Sequence, residues 1–213
     1  MSTVLYIVLT AAISYLLGSI SFAVIVSRAL AKKDVRDYGS GNAGLTNVIR
    51  NFGKLPGILT LVGDFSKGVV SVILGRLIFA YIAHLEPQYG ACIAGLFVII
   101  GHIFPLYFGF KGGKGVLTTA GIALMIDPRV FVIVISLFII LFLITRIVSI
   151  ASIIAAISYP ITTYVVNALS GRPDPVDTIL TACIAVILIY MHRANIKRLL
   201  NGTEPKFERK KKD

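Results

Sequence analysis

Apolar residues fall in seven runs, at 4–26, 56–83, 89–108, 116–126, 130–144, 147–166 and 177–191, separated by polar breaks that are short except at 27–55 and that carry glycine in several cases. Runs this apolar predict membrane-crossing helices. The pattern therefore predicts an all-α polytopic membrane protein, a single domain over 1–213 with seven transmembrane helices. The fourth run does not reach across. Residues 114–126 rise only about 20 Å as a helix, against a hydrocarbon core of about 30 Å. A half-helix that begins below the membrane surface resolves the conflict. Irregular backbone at that depth is tolerated only where it lines a cavity in the protein, so a polar pocket is expected there.

Charge orients the bundle. Lys and Arg number six in residues 28–54, two in 109–115, one in 145–146 and eight in 193–213. With seven crossings those four stretches share one face, and only Arg129 and Arg172 are left for the other. The positive-inside rule then puts the N-terminus outside, the C-terminus in the cytoplasm, and the glycine-rich loops and their pocket on the cytoplasmic face. Dropping the fourth run alone would carry the eight basic residues of the tail outside, which that rule opposes. The N-terminus has no basic region or small-residue cleavage site of a signal peptide, so the first run is expected to stay as a helix.

Composition agrees. The chain is 56% hydrophobic and 15% charged, with mean hydropathy +0.87, whereas a soluble domain carries about 25% charged residues. The net charge of +11 is not a nucleic-acid signature, because no basic stretch carries aromatic stacking residues. It fits topology and attraction for anionic lipids and substrates. Cys92 and Cys183 lie in apolar runs and read as inert core thiols.

Three polar blocks interrupt the apolar pattern. Gly39-Ser40-Gly41-Asn42-Ala43-Gly44-Leu45-Thr46-Asn47-Val48-Ile49-Arg50 combines glycines with neutral donors and the charged fork of Arg50, the equipment of an oxyanion cradle. A flexible loop between two helices is its bland reading. Gly109-Phe110-Lys111-Gly112-Gly113-Lys114-Gly115-Val116, followed by Thr118 and Thr119, precedes the short helix, so backbone N–H groups and the helix dipole would face an anion. Its spacing is not that of a nucleotide-binding P-loop, and a plain Gly/Lys turn is the alternative. His192-Arg193-Ala194-Asn195-Ile196-Lys197-Arg198, then Gly202 and Glu204, opens the tail. Lys197, Arg198 and Lys210–Lys212 read as topology signals. His192 and Asn195, three apart, share a helix face, although a histidine at a helix end is also a common cap.

Asp64 and Lys67 are charges about 12–17 Å into the second run. Ions at such depth mark function or a buried pair, and their i,i+3 spacing lets them pair. His102, beside Gly101 and Pro105, reads as a hydrogen-bonded core histidine, with a place in the pocket lining as the alternative, and Arg76 reads as a side chain that snorkels toward the surface. Several chemistries are missing. No serine sits in a G-x-S-x-G elbow, no His/Cys/carboxylate group has metal-ligand spacing, and no histidine has an aspartate five positions on.

Taken together, the blocks resemble the bacterial membrane glycerol-3-phosphate acyltransferases that depend on acyl phosphate. That family's three motifs resemble Gly39 to Arg50, Gly109 to Gly115, and His192-Arg193-x-Asn195-Ile196 through Gly202-x-Glu204. Asp64-x-x-Lys67-Gly68 and Gly101-His102-x-Phe104-Pro105 match too, while Leu45 and Leu117 stand where alanine is more usual. The resemblance implies transfer of an acyl group from acyl phosphate to the 1-hydroxyl of sn-glycerol 3-phosphate in the bacterial inner membrane, with no cofactor or metal. A separate enzyme would form the acyl phosphate. It places Ser40, Lys114, His192 and Asn195 in catalysis. Gly41, Asn42, Thr46, Asn47, Arg50, Lys67, Gly112, Gly113, Gly115 and Arg193 would bind substrate. The base stays open between His192 and a substrate phosphate, and Ser40 lacks the adjacent base of a covalent acyl carrier. A transporter for a phosphorylated solute is the competing reading, since broken helices that meet an anion at mid-membrane are a transporter device. Against it, the chain shows no self-similar halves, and its polar blocks map to one face. A lipid-binding structural protein would leave the glycine blocks and Asp64/Lys67 unexplained.

Overall fold

The structure, a computed structural model, describes residues 2–171 and 175–207. Arg172 and the Lys210–Lys212 run lie outside the described residues. Those described are helical with no strand, and the chain divides into two compact units, Met1–Ile126 and Asp127–Asp213.

The first unit contains α1 (Thr3–Gly18), α2 (Phe22–Ala31), α3 (Leu45–Phe52), α4 (Lys54–Leu77, continued by a π-helical stretch Ile78–Ala83), α5 (Pro87–Ile103) and α6 (Val116–Ile126). The second contains α7 (Pro128–Thr145), α8 (Val148–Leu169), α9 (Pro175–Met191) and α10 (Arg193–Leu200). Five stretches are long and apolar enough to cross a membrane: Thr3–Ala31, Lys54–Ala83, Pro87–Phe108, Pro128–Thr145 and Val148–Leu169. The pair α9–α10, bent by 58°, is a sixth candidate. The seventh predicted crossing is α6, whose 11 residues make it an apolar helix too short to span. Lengths alone thus support five or six crossings and the short helix expected from the fourth run.

One boundary differs from the hydrophobic pattern. The first run breaks at Ser19–Ser21 into α1 and α2. Ser19 Oγ donates to the Tyr15 carbonyl and accepts the Leu106 N–H, so its side chain ties the end of α1 to the segment that follows α5. The carbonyls of Gly18 and Ile20 are taken by Lys67 Nζ at 2.9 and 2.8 Å.

In the first unit α4 packs against α1, α5 and α6, and α1 against α5. The contacts are close because glycines face backbone. A Cβ on Gly101 would fall on the Tyr15 carbonyl, one on Gly68 on the Thr118 carbonyl, and one on Gly121 on the Phe65 carbonyl. Val72, Phe79, Val98, Ile99 and Ile122 fill the space between these helices and are fully or almost fully buried. A second small core of Ala23, Val24, Val35, Ala43 and Val48, with Phe52 and Phe108 against it, underlies the first glycine-rich block. In the second unit α8 packs on both α7 and α9 through small residues such as Ala151, Ala155 and Ala156. Cys92 is buried in α5, but Cys183 lies on the exposed face of α9, so the expectation of two core thiols holds for the first alone. Arg76 donates to Gln88 at 3.0 Å.

Because the Gly121 contact is with backbone, which cannot rotate away, Gly121→Val is expected to destabilise the protein by about 1–3 kcal/mol through overpacking. Thermal unfolding in detergent would show a lowered midpoint. A midpoint equal to wild type would contradict this register of α6 on α4.

Candidate functional site

The first block forms a loop that bends at Gly39, where φ is +57° and a Cβ would collide with Asn47 Oδ1. Asn47 organises it. Its Nδ2 donates to the carbonyls of Val35, Tyr38 and Asn42 at 2.9–3.1 Å, and its Oδ1 accepts the Ser40 N–H and Asn51 Nδ2. Asn47 is buried, and these bonds direct its amide to the loop itself. Ser40 and Gly41 are exposed at the crest, Asn42 and Thr46 are half-buried, and Arg50 is half-buried in the last turn of α3. Helix α3 starts directly after the loop, with its first bond from Val48 N–H to the Gly44 carbonyl. The N–H groups of its first turn therefore have no partner within the helix.

The second block does the same for α6. Gly115, at φ +90°, turns the chain into the helix, and Thr119 N–H bonds back to its carbonyl. Lys114 is half-buried just before this start. Gly112 and Gly113 are pinned from behind by bonds from their N–H groups to the carbonyls of Ile103 and His102, at 3.1 and 3.2 Å. The two blocks meet, with Ala43 N–H 3.4 Å from the Gly112 carbonyl. Arg36 ties them a second time. Its Nη1 reaches the carbonyls of Phe108 and Lys111 while Nε and Nη2 bind Asp34. The Asp34 carboxyl is held well below the usual carboxylate range, chiefly by Arg36 against the opposing effect of burial, with Arg28 adding to it.

Two glycine-rich helix starts, side by side, with Arg50 and Lys114 in their elements, can bind anions: backbone N–H groups and helix dipoles favour negative charge. Sequence reasoning found both blocks. It missed Asp34, Arg36 and Asn51, which build the loop. The i,i+4 spacing of Asn47 and Asn51 was the available signal, whereas Asp34 and Arg36 looked like ordinary loop charges.

Lys67 sits elsewhere. Its ammonium lies among Asp64 Oδ1 at 3.0 Å and the Gly18 and Ile20 carbonyls, and both charged side chains are almost completely buried. These three oxygens anchor it at the break between α1 and α2. His102 is buried with Nδ1 near Thr118 Oγ1 and Asp64 Oδ1, as a hydrogen-bonded core histidine.

In the second unit Glu204 gathers the third block. Its carboxylate accepts from Ser149 Oγ, Asn195 Nδ2 and Arg198 Nε at 2.6–2.7 Å. Burial opposes ionisation of Glu204, but the bonds from Asn195, Ser149 and Arg198 outweigh it and hold the carboxyl below its usual range. His192 lies at the bend between α9 and α10, buried, with Nδ1 2.7 Å from the Leu188 carbonyl. A carbonyl only accepts, so Nδ1 carries the proton and Nε2 is the basic nitrogen. Arg193 is exposed. Its guanidinium stands over the Tyr190 ring, 4.6 Å from its centroid, and donates to the Tyr190 carbonyl.

The chain matches the profile of the family described as glycerol-3-phosphate acyltransferase over residues 8–202. A glycerol-3-phosphate acyltransferase of Clostridioides difficile (strain 630) is 39% identical over 96% of this chain and 97% of its own length. One from Thiobacillus denitrificans (strain ATCC 25259 / T1) is 41% identical over 90% and 92%. Among solved structures, PlsY (YgiH), an integral membrane glycerol 3-phosphate acyltransferase, is similar in its glycerol 3-phosphate form. The TM-score is 0.82 at 35% identity, over 95% of this chain and 96% of that one.

The Glu204 network gives a pH test. A carboxyl whose folded pKa is depressed stabilises the fold above its ordinary value, near 4.5, and loses that contribution as pH falls through the folded value. Glu204→Gln should therefore melt below wild type at pH 7, and the gap should narrow as pH drops below about 4.5. A gap independent of pH would contradict an ionised Glu204 at the centre of the network.

Proposed function

Because the chain belongs to the glycerol-3-phosphate acyltransferase family, we propose that this multi-pass membrane enzyme transfers an acyl group from acyl phosphate to the 1-hydroxyl of sn-glycerol 3-phosphate. The products are lysophosphatidic acid and inorganic phosphate. The observation that carries this reading is the meeting of the two glycine-rich helix starts at Ala43 and Gly112. Each substrate brings a phosphate, and adjacent anion cradles suit a reaction between two such molecules.

The hydroxyl oxygen of the acceptor attacks the acyl carbonyl carbon. A new C–O ester bond forms, the bond from that carbon to the phosphate oxygen breaks, and phosphate leaves. Arg50 holds the glycerol phosphate. The Gly112–Gly115 segment with Lys114 holds and neutralises the acyl phosphate. Ser40 orients the acceptor or steadies the developing oxyanion. Asn195 and His192 are assigned to the same reaction on the third motif. The proton passes to His192 Nε2 or to a substrate phosphate, whose second pKa lies near 6. Asn47 and Lys67 serve through the backbone they hold. One acyltransferase domain thus spans the chain. It lies in the bacterial inner membrane with seven crossings, N-terminus outside and the active site facing the cytoplasm, as the charge distribution supports. A separate enzyme supplies the acyl phosphate.

Purified protein in detergent, given glycerol 3-phosphate and palmitoyl phosphate, should form lysophosphatidate, and palmitoyl thioester should not replace the donor. No product from palmitoyl phosphate would overturn the reading. Ser40→Ala, Arg50→Ala and Lys114→Ala should each lose activity by about 10²-fold or more while still inserting into membranes. A wild-type rate from Arg50→Ala would refute its role.

A further inference from the structure

One side chain reaches from the first glycine-rich block to the second. Arg36 lies in the short turn Val35–Asp37, which is tied to the first block. The Val35 carbonyl accepts from Asn47 Nδ2, and Gly41 packs so close that a Cβ there would come within 3.4 Å of the Arg36 carbonyl. The guanidinium leads away to the second block. Its Nη1 donates to the Phe108 carbonyl at 2.6 Å and to the Lys111 carbonyl at 3.4 Å. Those two carbonyls straddle Gly109 and Phe110, both left-handed at φ +66° and +59°. Such backbone is unusual for a side chain as bulky as phenylalanine and persists where its surroundings hold it. Here the Phe110 N–H bonds to the Pro105 carbonyl, and Arg36 takes the carbonyls that flank the pair. Asp34 aims the guanidinium. Its Oδ1 accepts Arg36 Nε at 3.0 Å, its Oδ2 accepts Nη2 at 2.8 Å, and Arg28 in α2 donates to the same Oδ2 at 2.8 Å. With two nitrogens fixed on Asp34, the rigid fork sets where the third can meet the second block.

We propose that Arg36, aimed by Asp34, is a positioning residue that fixes the second glycine-rich block against the first, and with it the spacing of the groups held there during acyl transfer. The proposal rests on the reading that both blocks line one active site, and it holds whichever substrate either block receives. Each block has internal bonds of its own. Asn47 shapes the first, while the carbonyls of Ile103 and His102 receive the Gly112 and Gly113 N–H groups of the second. The direct bond between the blocks, from the Ala43 N–H to the Gly112 carbonyl, is long at 3.4 Å. Loss of Arg36 therefore leaves each block formed and loosens their mutual placement. A misplacement of about 1 Å between reacting groups costs on the order of 10²-fold in rate, so the effect falls on kcat more than on binding.

The test combines steady-state kinetics in detergent with amide hydrogen exchange. Arg36→Ala and Arg36→Lys should each lower kcat about tenfold or more, with neither substrate's KM rising more than about threefold. Lysine should not rescue, because one ammonium on a flexible stem cannot reproduce the fork that holds Asp34 and the carbonyls together. Arg28→Gln removes the other cation from Asp34 and leaves the Arg36 bonds in place, so its kcat should stay within about twofold of wild type. Exchange over residues 108–113 should be faster in Arg36→Ala than in wild type, without a matching change in α7 or α8. A wild-type kcat in Arg36→Ala, full rescue by Arg36→Lys, an equal loss in Arg28→Gln, or a loss of kcat that only follows a lowered melting temperature would each overturn the proposal. If Arg36→Ala does not fold, Arg36→Lys decides through the same two measurements. If wild type forms no lysophosphatidate, the reading of the site falls, whereas unchanged exchange in the folded Arg36 variants overturns the positioning role by itself.

Discussion

Carbonyls released where a helix breaks inside an apolar bundle have no water to turn to, and an unsatisfied one costs several kcal/mol. In the first unit Lys67 answers this for Gly18 and Ile20. A buried ammonium in turn requires a counter-charge, which Asp64 supplies at 3.0 Å. Such a pair is weak evidence for stability: replacing both partners with apolar groups is often neutral or favourable by about 1–4 kcal/mol, whereas removing one costs about 3–5. What the pair supplies is geometry. It holds the break between α1 and α2, gives His102 an oxygen to face, and lies in α4, on which α1, α5 and α6 all pack.

The same requirement for partnered backbone shapes the two glycine-rich blocks. Each is irregular, and each is stitched from behind. Asn47 and Asn51 serve the first, His102 and Ile103 the second, and Arg36 with the Ala43–Gly112 contact joins them. With those bonds made, the first-turn N–H groups of α3 and α6 are what the helix starts have left to offer an anion. A stiff frame behind a polar crest is what a site for two phosphorylated molecules needs, because preformed donors need no reorganisation when charge moves.

Much of this was legible in the sequence because it is local. Apolar runs located the long helices to within a few residues apart from the break in the first, the thirteen residues from Lys114 to Ile126 exposed the short α6, and Gly/Ser/Asn density marked the first loop and Gly/Lys density the second. What escaped was non-local. The Gly18-Ser19 pair is a local break signal inside an apolar run, but the break is completed by Lys67, almost fifty positions on, and by Leu106. Asn47 read as one more donor for substrate, because only the folded loop brings three carbonyls to its amide. Lys67 was placed among the substrate contacts by resemblance, and the carbonyls that hold it lie far from it in sequence. Glu204 was visible only as a motif match, and the bonds from Ser149, Asn195 and Arg198 that give it a purpose come from α8 and α10.

The central claim is that two adjacent cradles hold two phosphates at once. Equilibrium binding of glycerol 3-phosphate to the detergent-solubilised protein, with and without a saturating non-hydrolysable acyl phosphonate, tests it most directly. The account predicts that glycerol 3-phosphate still binds to the phosphonate-loaded protein, giving a ternary complex. Mutual exclusion of the two ligands would contradict it.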